Sequence, residues 1–101
     1  MTPEKFKFDK DKDYCIDPNG DVHTLQPSED GFYKLADLQS HVGGYIEIVP
    51  SHYEFELTQT HVGYANEEGR LLNLEFNKRA SELFGMPLVG SVAIIRRDRL
   101  E

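Results

Sequence analysis

The apolar positions of this chain change period repeatedly, and each change marks an element. Tyr14-Cys15-Ile16 and Val22-His23-Thr24-Leu25 are short β-prone runs on either side of Asp17-Pro18-Asn19-Gly20. Proline presets the first turn position, and Asn-Gly tolerates the turn and left-handed conformations that follow, so this segment predicts a β-hairpin. After a loop over Gln26 to Gly31, Leu35, Leu38 and Val42 fall at i, i+3 and i+7. That spacing predicts a helix from about Lys34 to Val42 with all three residues facing inward. No Ser, Thr, Asp or Asn directly precedes it. Gly43 is placed to end it in the left-handed conformation, and Gly44 to let the chain reverse.

Tyr45 to Val49 then alternates with period two. Ile46 and Ile48 fall on one side, and Tyr45, Glu47 and Val49 on the other, until Pro50-Ser51 breaks the run. Tyr53, Phe55 and Leu57 alternate with Glu54 and Glu56, the pattern of a half-buried strand. Gln59 to Ala65 is a further strand, with Val62 and Tyr64 on one face, and Asn66-Glu67-Glu68-Gly69 is a turn that closes a hairpin into Arg70-Leu71-Leu72. Asn77 has the chemistry of a helix N-cap; the helix after it carries Ala80, Leu83 and Phe84 inward and stops at Gly85 and Pro87. Val89 to Ile95 is the most β-prone stretch that remains, with Val92 and Ile94 opposite Ala93 and Ile95, and is expected to be a central strand. The order of elements predicts an α+β fold: a mostly antiparallel sheet of about five strands with two short helices on one face. Residues 14–101 form the single domain. Residues 1–13, where Asp9-Lys10-Asp11-Lys12-Asp13 offers nothing to bury, are expected to be a loosely ordered acidic lead.

A chain of 101 residues supports one core and little more. Charge narrows the choice of partner. Eighteen acidic residues against 11 basic give a net charge of −7, which repels nucleic-acid phosphates and anionic lipid at long range. Direct nucleic-acid binding is therefore disfavoured, and a basic partner is favoured. Arg96-Arg97-Asp98-Arg99 is the dense basic cluster and reads as a solvated tail. Cys15 is the only cysteine, which excludes an intrachain disulfide and suits a reducing compartment. No stretch is long and apolar enough for a bilayer span, and no signal peptide is visible. These features place the protein in the cytoplasm.

Motifs for chemistry fail on geometry. Asp9, Asp11 and Asp13 imitate the start of a calcium loop, but Tyr14 and Gly20 stand where that loop needs its turn glycine and its bidentate glutamate. His23, His41, His52 and His61 are not at metal-binding spacing, although His52 and His61 flank one expected hairpin. Gly43-Gly44 and Gly90 do not open a helix after a strand, so they are not a phosphate cradle. Cys15 has no histidine close in sequence, and the pairs Glu54/Glu56 and Glu67/Glu68 are expected in solvent, where no carboxyl acquires a raised pKa. No metal, cofactor or catalytic set is expected, and so no enzyme. What remains is Tyr45 beside Glu47, an aromatic and a carboxylate on one strand face, which suits recognition.

Leu35, Leu38-Gln39, Val42-Gly43-Gly44-Tyr45-Ile46-Glu47, Tyr64 to Leu71, Asn77, Ala80 and Val89-Gly90-Ser91-Val92 together resemble a family of small proteins catalogued as a domain of unknown function and found in phages, plasmids and some bacteria. The resemblance runs from about Tyr14 to Ile95. The acidic lead and the uncapped first helix depart from the family's pattern. The resemblance implies a phage or plasmid accessory protein working in the bacterial host cytoplasm, and it carries no chemistry. Two functions are compatible with it. In the first, a non-enzymatic binding protein antagonises a host function or defence system, its acidic edges (Glu54, Glu56, Glu67, Glu68) imitating a phosphate array to a basic host protein. In the second, a sponge sequesters a nucleotide-type immune signal at a homo-oligomer interface, with Tyr45 stacking and Arg70, Lys78 or Arg79 holding phosphate.

Overall fold

The computed structural model describes residues 7–50 and 57–101. Its elements are β1 (Asp13–Ile16), β2 (Val22–Leu25), α1 (Leu35–Val42), β3 (Ile46–Val49), β4 (His61–Asn66), α2 (Lys78–Phe84) and β5 (Val92–Arg96), followed by a 3-10 turn over Arg97–Arg99. The described strands form one sheet in the order β2-β1-β5-β4-β3, every neighbouring pair antiparallel. The expected α+β class and the central place of β5 both hold. Antiparallel register gives the sheet an upper end, where β1 and β4 finish and β3 and β5 begin, and a lower end with Asp13, His61 and Arg96.

The two helices do not share a face. Leu38 and Val42 of α1 pack with Tyr33, Tyr64, Ala93 and Ile95. Ala80 and Phe84 of α2 pack with Tyr14, Ile16, Ala65, Val92 and Ile94. Successive strand residues point to opposite faces, so Ala93 and Ile95 face one helix while Val92 and Ile94 face the other. The fully buried run Val92 to Ile95 is the sequence trace of a strand covered on both sides.

Other expectations shift for local reasons. Leu35 is exposed, because it opens α1 a turn ahead of the buried Leu38. On β3, Ile46 packs against the α1-side core and Tyr45 and Glu47 are exposed as expected, but Ile48 is exposed and Val49 is buried among the α2-side residues. The edge strand is thus covered on one side at its start and on the other at its end. Arg70-Leu71-Leu72 forms no returning strand: residues 67–73 are a run of turns, closed by Leu72 N–H to Glu68 O at 2.9 Å and Leu74 N–H to Gly69 O at 3.0 Å. The strand expected around Tyr53 and Phe55, together with His52, Glu54 and Glu56, lies outside the described residues; Leu57 is a buried residue in the turn before β4.

Two asparagines lock helices to the sheet's upper end. Asn77, with no exposed surface, accepts from Ala80 N–H at 3.0 Å as the N-cap of α2. Its amide donates to the carbonyls of Ile16 and Gly90, both at 2.9 Å, so both of its donors tie α2 to β1 and to the lead into β5. Asn66 donates to Val42 O at 3.3 Å and accepts from Glu68 N–H at 2.8 Å, which joins the end of α1 to the end of β4. Gly43 ends α1 at φ 80°, as expected. Gly44 is needed for another reason: a Cβ there would lie 2.8 Å from the Asn66 amide nitrogen.

Candidate functional site

Lys34, Arg96 and Arg99 are bound to carboxylates at the lower end. The Asp13 carboxylate, fully buried, accepts from the Tyr33 hydroxyl at 2.9 Å, the Arg96 backbone N–H at 2.8 Å and the Arg99 guanidinium at 2.7 Å. Burial, with Asp13 as acceptor beside it, pushes the Tyr33 phenol well above its ordinary range. Arg96 forks onto Asp98 at 2.9 and 2.7 Å and also donates to Lys10 O. Arg99 reaches Asp11 O at 2.7 Å, and Lys34 pairs with Asp30 and Glu101. The cluster expected as a solvated tail is instead a clamp on residues 10–13, the segment that leads into β1.

The upper end is different. β3 and β4 pair Ile46 with Asn66 and Glu47 with Ala65, and Glu67 N–H bonds Tyr45 O at 2.8 Å. This register places Tyr45, Glu47 and Glu67 on one face of the sheet corner, with Tyr45 and Glu67 opposite each other. Glu68 follows, half-buried, and Glu75 and Asp21 are exposed at the same end. Among the described residues, none of these carboxylates takes part in an ion pair; the Lys and Arg pairs all lie at the lower end. Arg70 is exposed in the turns after β4, and Lys78 and Arg79 form the first turn of α2. Of the expected recognition residues, Tyr45, Glu47, Glu67 and Glu68 share this corner, with Arg70 in the same run of turns.

A cleft of about 530 Å³ opens beside this corner, between the β1–β2 turn, the last turn of α1 and the lead into β5. Asp17, His41, Glu75 and Ser91 supply its polar wall, and Pro18 and Leu74 its apolar wall. Asp17 is fixed by His23 Nε2 at 2.6 Å and by the Ser91 hydroxyl at 2.9 Å. The carboxylate stands between imidazole and hydroxyl, so the histidine does not face the serine, and the set orients Asp17 where a nucleophilic triad would place the imidazole on the hydroxyl. Cys15 lies behind it, its thiol pushed up to about 11 by burial and then by Asp17, which keeps the thiolate scarce. Neither this cleft nor a second of about 420 Å³ near Tyr64 and Leu100 is lined by Tyr45, Arg70, Lys78 or Arg79. Sequence reasoning missed this site because Asp17 reads as a turn residue and Ser91 as filler before a strand; their meeting is a product of the β1–β5 pairing.

Among the described residues, no three His, Cys, Asp or Glu side chains are grouped to hold a metal ion, and no helix is long and apolar enough to cross a membrane. Among the described residues, a five-stranded antiparallel sheet with a helix on each face defines a small α+β protein. The chain belongs to the family described as Domain of unknown function (DUF3846), which matches residues 13–101. The match begins with the first residue of β1. No curated protein and no solved structure matches the chain.

Proposed function

We propose that this protein is a non-enzymatic binding module that docks a basic partner surface through the upper end of its sheet. In this reading it is a phage- or plasmid-borne accessory protein of the bacterial cytoplasm, and the partner is a host protein, including one of a defence system, whose basic face ordinarily meets nucleic acid. The observation that supports it most is a corner where Glu47, Glu67 and Glu75 stand exposed and outside any ion pair among the described residues, whereas Lys34, Arg96 and Arg99 are each paired with a carboxylate at the lower end. Arg70, Lys78 and Arg79 also lie at the upper end and offset part of that charge. Unpaired, exposed carboxylates steer a cationic surface toward this end. Tyr45 adds an amphipathic contact beside them. The second reading, a sponge for a nucleotide-type signal, is less favoured: the upper cleft presents Asp17 and Glu75 to an anion and no lysine or arginine.

The test is fluorescence anisotropy with a labelled ten-residue oligolysine peptide. A Glu47→Gln/Glu67→Gln/Glu75→Gln variant should bind about tenfold more weakly at low salt, three exposed charge contacts at roughly 0.5 kcal/mol each. A Glu29→Gln/Glu82→Gln control, away from this end, should bind like the parent. Equal loss in the two variants would mean that only net charge matters and would remove the docking end from the argument.

A further inference from the structure

Resting on that reading, we infer that the upper cleft is a socket for one arginine side chain of the basic partner. Its polar wall is electronegative from three independent sources. Asp17 and Glu75 contribute carboxylates. α1 ends here and brings the negative pole of the helix, with Gln39 O taken by the Gly43 and Gly44 N–H groups and Val42 O by the Asn66 amide. Ser40 and Ser91 add hydroxyl oxygens that can accept. No lysine or arginine lines the cleft; the basic groups near its carboxylates are His23, bonded to Asp17, and His41 in the wall.

The shape suits arginine in particular. Pro18 and Leu74 form an apolar strip on which an aliphatic stem can lie. Acceptors spread over several groups match the five donors of a planar guanidinium better than the compact charge of an ammonium. The socket is also rigid before binding. His23 and Ser91 hold Asp17, and the turn around it is closed by Gly20 N–H to Asp17 O and by Asp17 N–H to Asp21 O, both at 2.9 Å. Little ordering is then left to be done on binding.

The experiment uses two capped tripeptides, Gly-Arg-Gly and the same peptide with citrulline in place of arginine, an isostere without the charge. They are titrated into the whole chain and followed by amide chemical shifts. The arginine peptide should move the amides of Ser40, His41, Gly43, Glu75 and Ser91, and the citrulline peptide should not. Glu75→Gln should weaken the arginine response about two- to fivefold, as expected for one partly exposed ion pair, and Glu75→Lys should abolish it. Glu75 is exposed, so both variants should fold, which their unperturbed shifts elsewhere will verify. Equal shifts with citrulline, or arginine shifts confined to other surfaces, would overturn the socket. If oligolysine still binds through Glu47 and Glu67 while the cleft amides stay still, the socket falls and the docking reading stands. If oligolysine binding is absent altogether, the docking reading falls first.

Discussion

His61 shows how one buried residue can couple this fold to pH. It opens β4 at the lower end with almost no exposed surface. Its Nε2 lies 2.6 Å from Lys12 O, which requires a proton on that nitrogen, and its Nδ1 lies 2.6 Å from the Thr60 hydroxyl, which can then donate to it. Both bonds suit the neutral ring. Burial is the leading cause that holds its pKa below the usual 6.5; the Lys12 carbonyl and Asp13 pull the other way, and Arg96 and Arg99 add to the depression. The folded pKa is thus lower than the unfolded one, so the unfolded chain takes up the proton first as pH falls. The stability that this residue confers is complete above the ordinary histidine value and is lost as pH drops from there toward the folded value. Urea midpoints at about pH 7.5 and 5.5 should therefore separate in the parent protein, and the gap should narrow in His61→Gln, which keeps hydrogen bonding but cannot titrate over that range. An unchanged gap would show that His61 does not sense pH.

Helix α2 is seated by a glycine in the strand beneath it. Phe84 lies over Gly63 of β4, so closely that a Cβ at Gly63 would fall 2.5 Å from the ring's Cζ and 2.7 Å from Cε1. Gly63→Ala should push the ring, and α2 with it, off the sheet at a cost of about 1–3 kcal/mol, measured by urea denaturation. Phe84→Leu in the same chain should recover part of that loss, and strict additivity of the two changes would disprove the contact. At this scale much of the architecture was legible. The Pro-Asn-Gly turn, the Asn77 cap, the Gly43 and Gly85 stops and the continuous apolar run of β5 each carry a local physical signature, and each forms where expected. The placement of α1 and α2 on opposite faces was not legible from the helices, since one apolar stripe per helix does not say which face it meets. The information was in β5: four buried residues in succession need cover on both sides. The candidate site divides in the same way. Tyr45 and Glu47 could be found from alternation alone, whereas Asp17, Ser91 and the Arg96–Asp13–Arg99 clamp depend on pairings more than 70 residues apart in sequence.

The whole molecule is strongly acidic, at a net charge of −7, and the excess is not evenly spread. Asp13, Asp30 and Asp98 at the lower end are paired with Arg99, Lys34 and Arg96, whereas Glu47, Glu67 and Glu75 at the upper end take part in no ion pair among the described residues. Like charges that are unpaired in the folded state repel one another and stabilise nothing. A carboxylate used for folding and one used for docking therefore respond oppositely to neutralisation. Glu47→Gln/Glu67→Gln/Glu75→Gln should leave unfolding free energy within about 0.5 kcal/mol of the parent, or raise it slightly at low ionic strength. Added salt should stabilise the parent more than the variant, because screening relieves repulsion that the variant has already lost. Urea unfolding of both proteins at about 20 and 500 mM salt measures the two effects together. A drop of more than about 1 kcal/mol in the variant would mean that these carboxylates hold the fold together through bonds at this end, and they could not then be a surface kept free for a partner. Unchanged stability combined with lost oligolysine binding is the outcome that separates a docking end from a structural one.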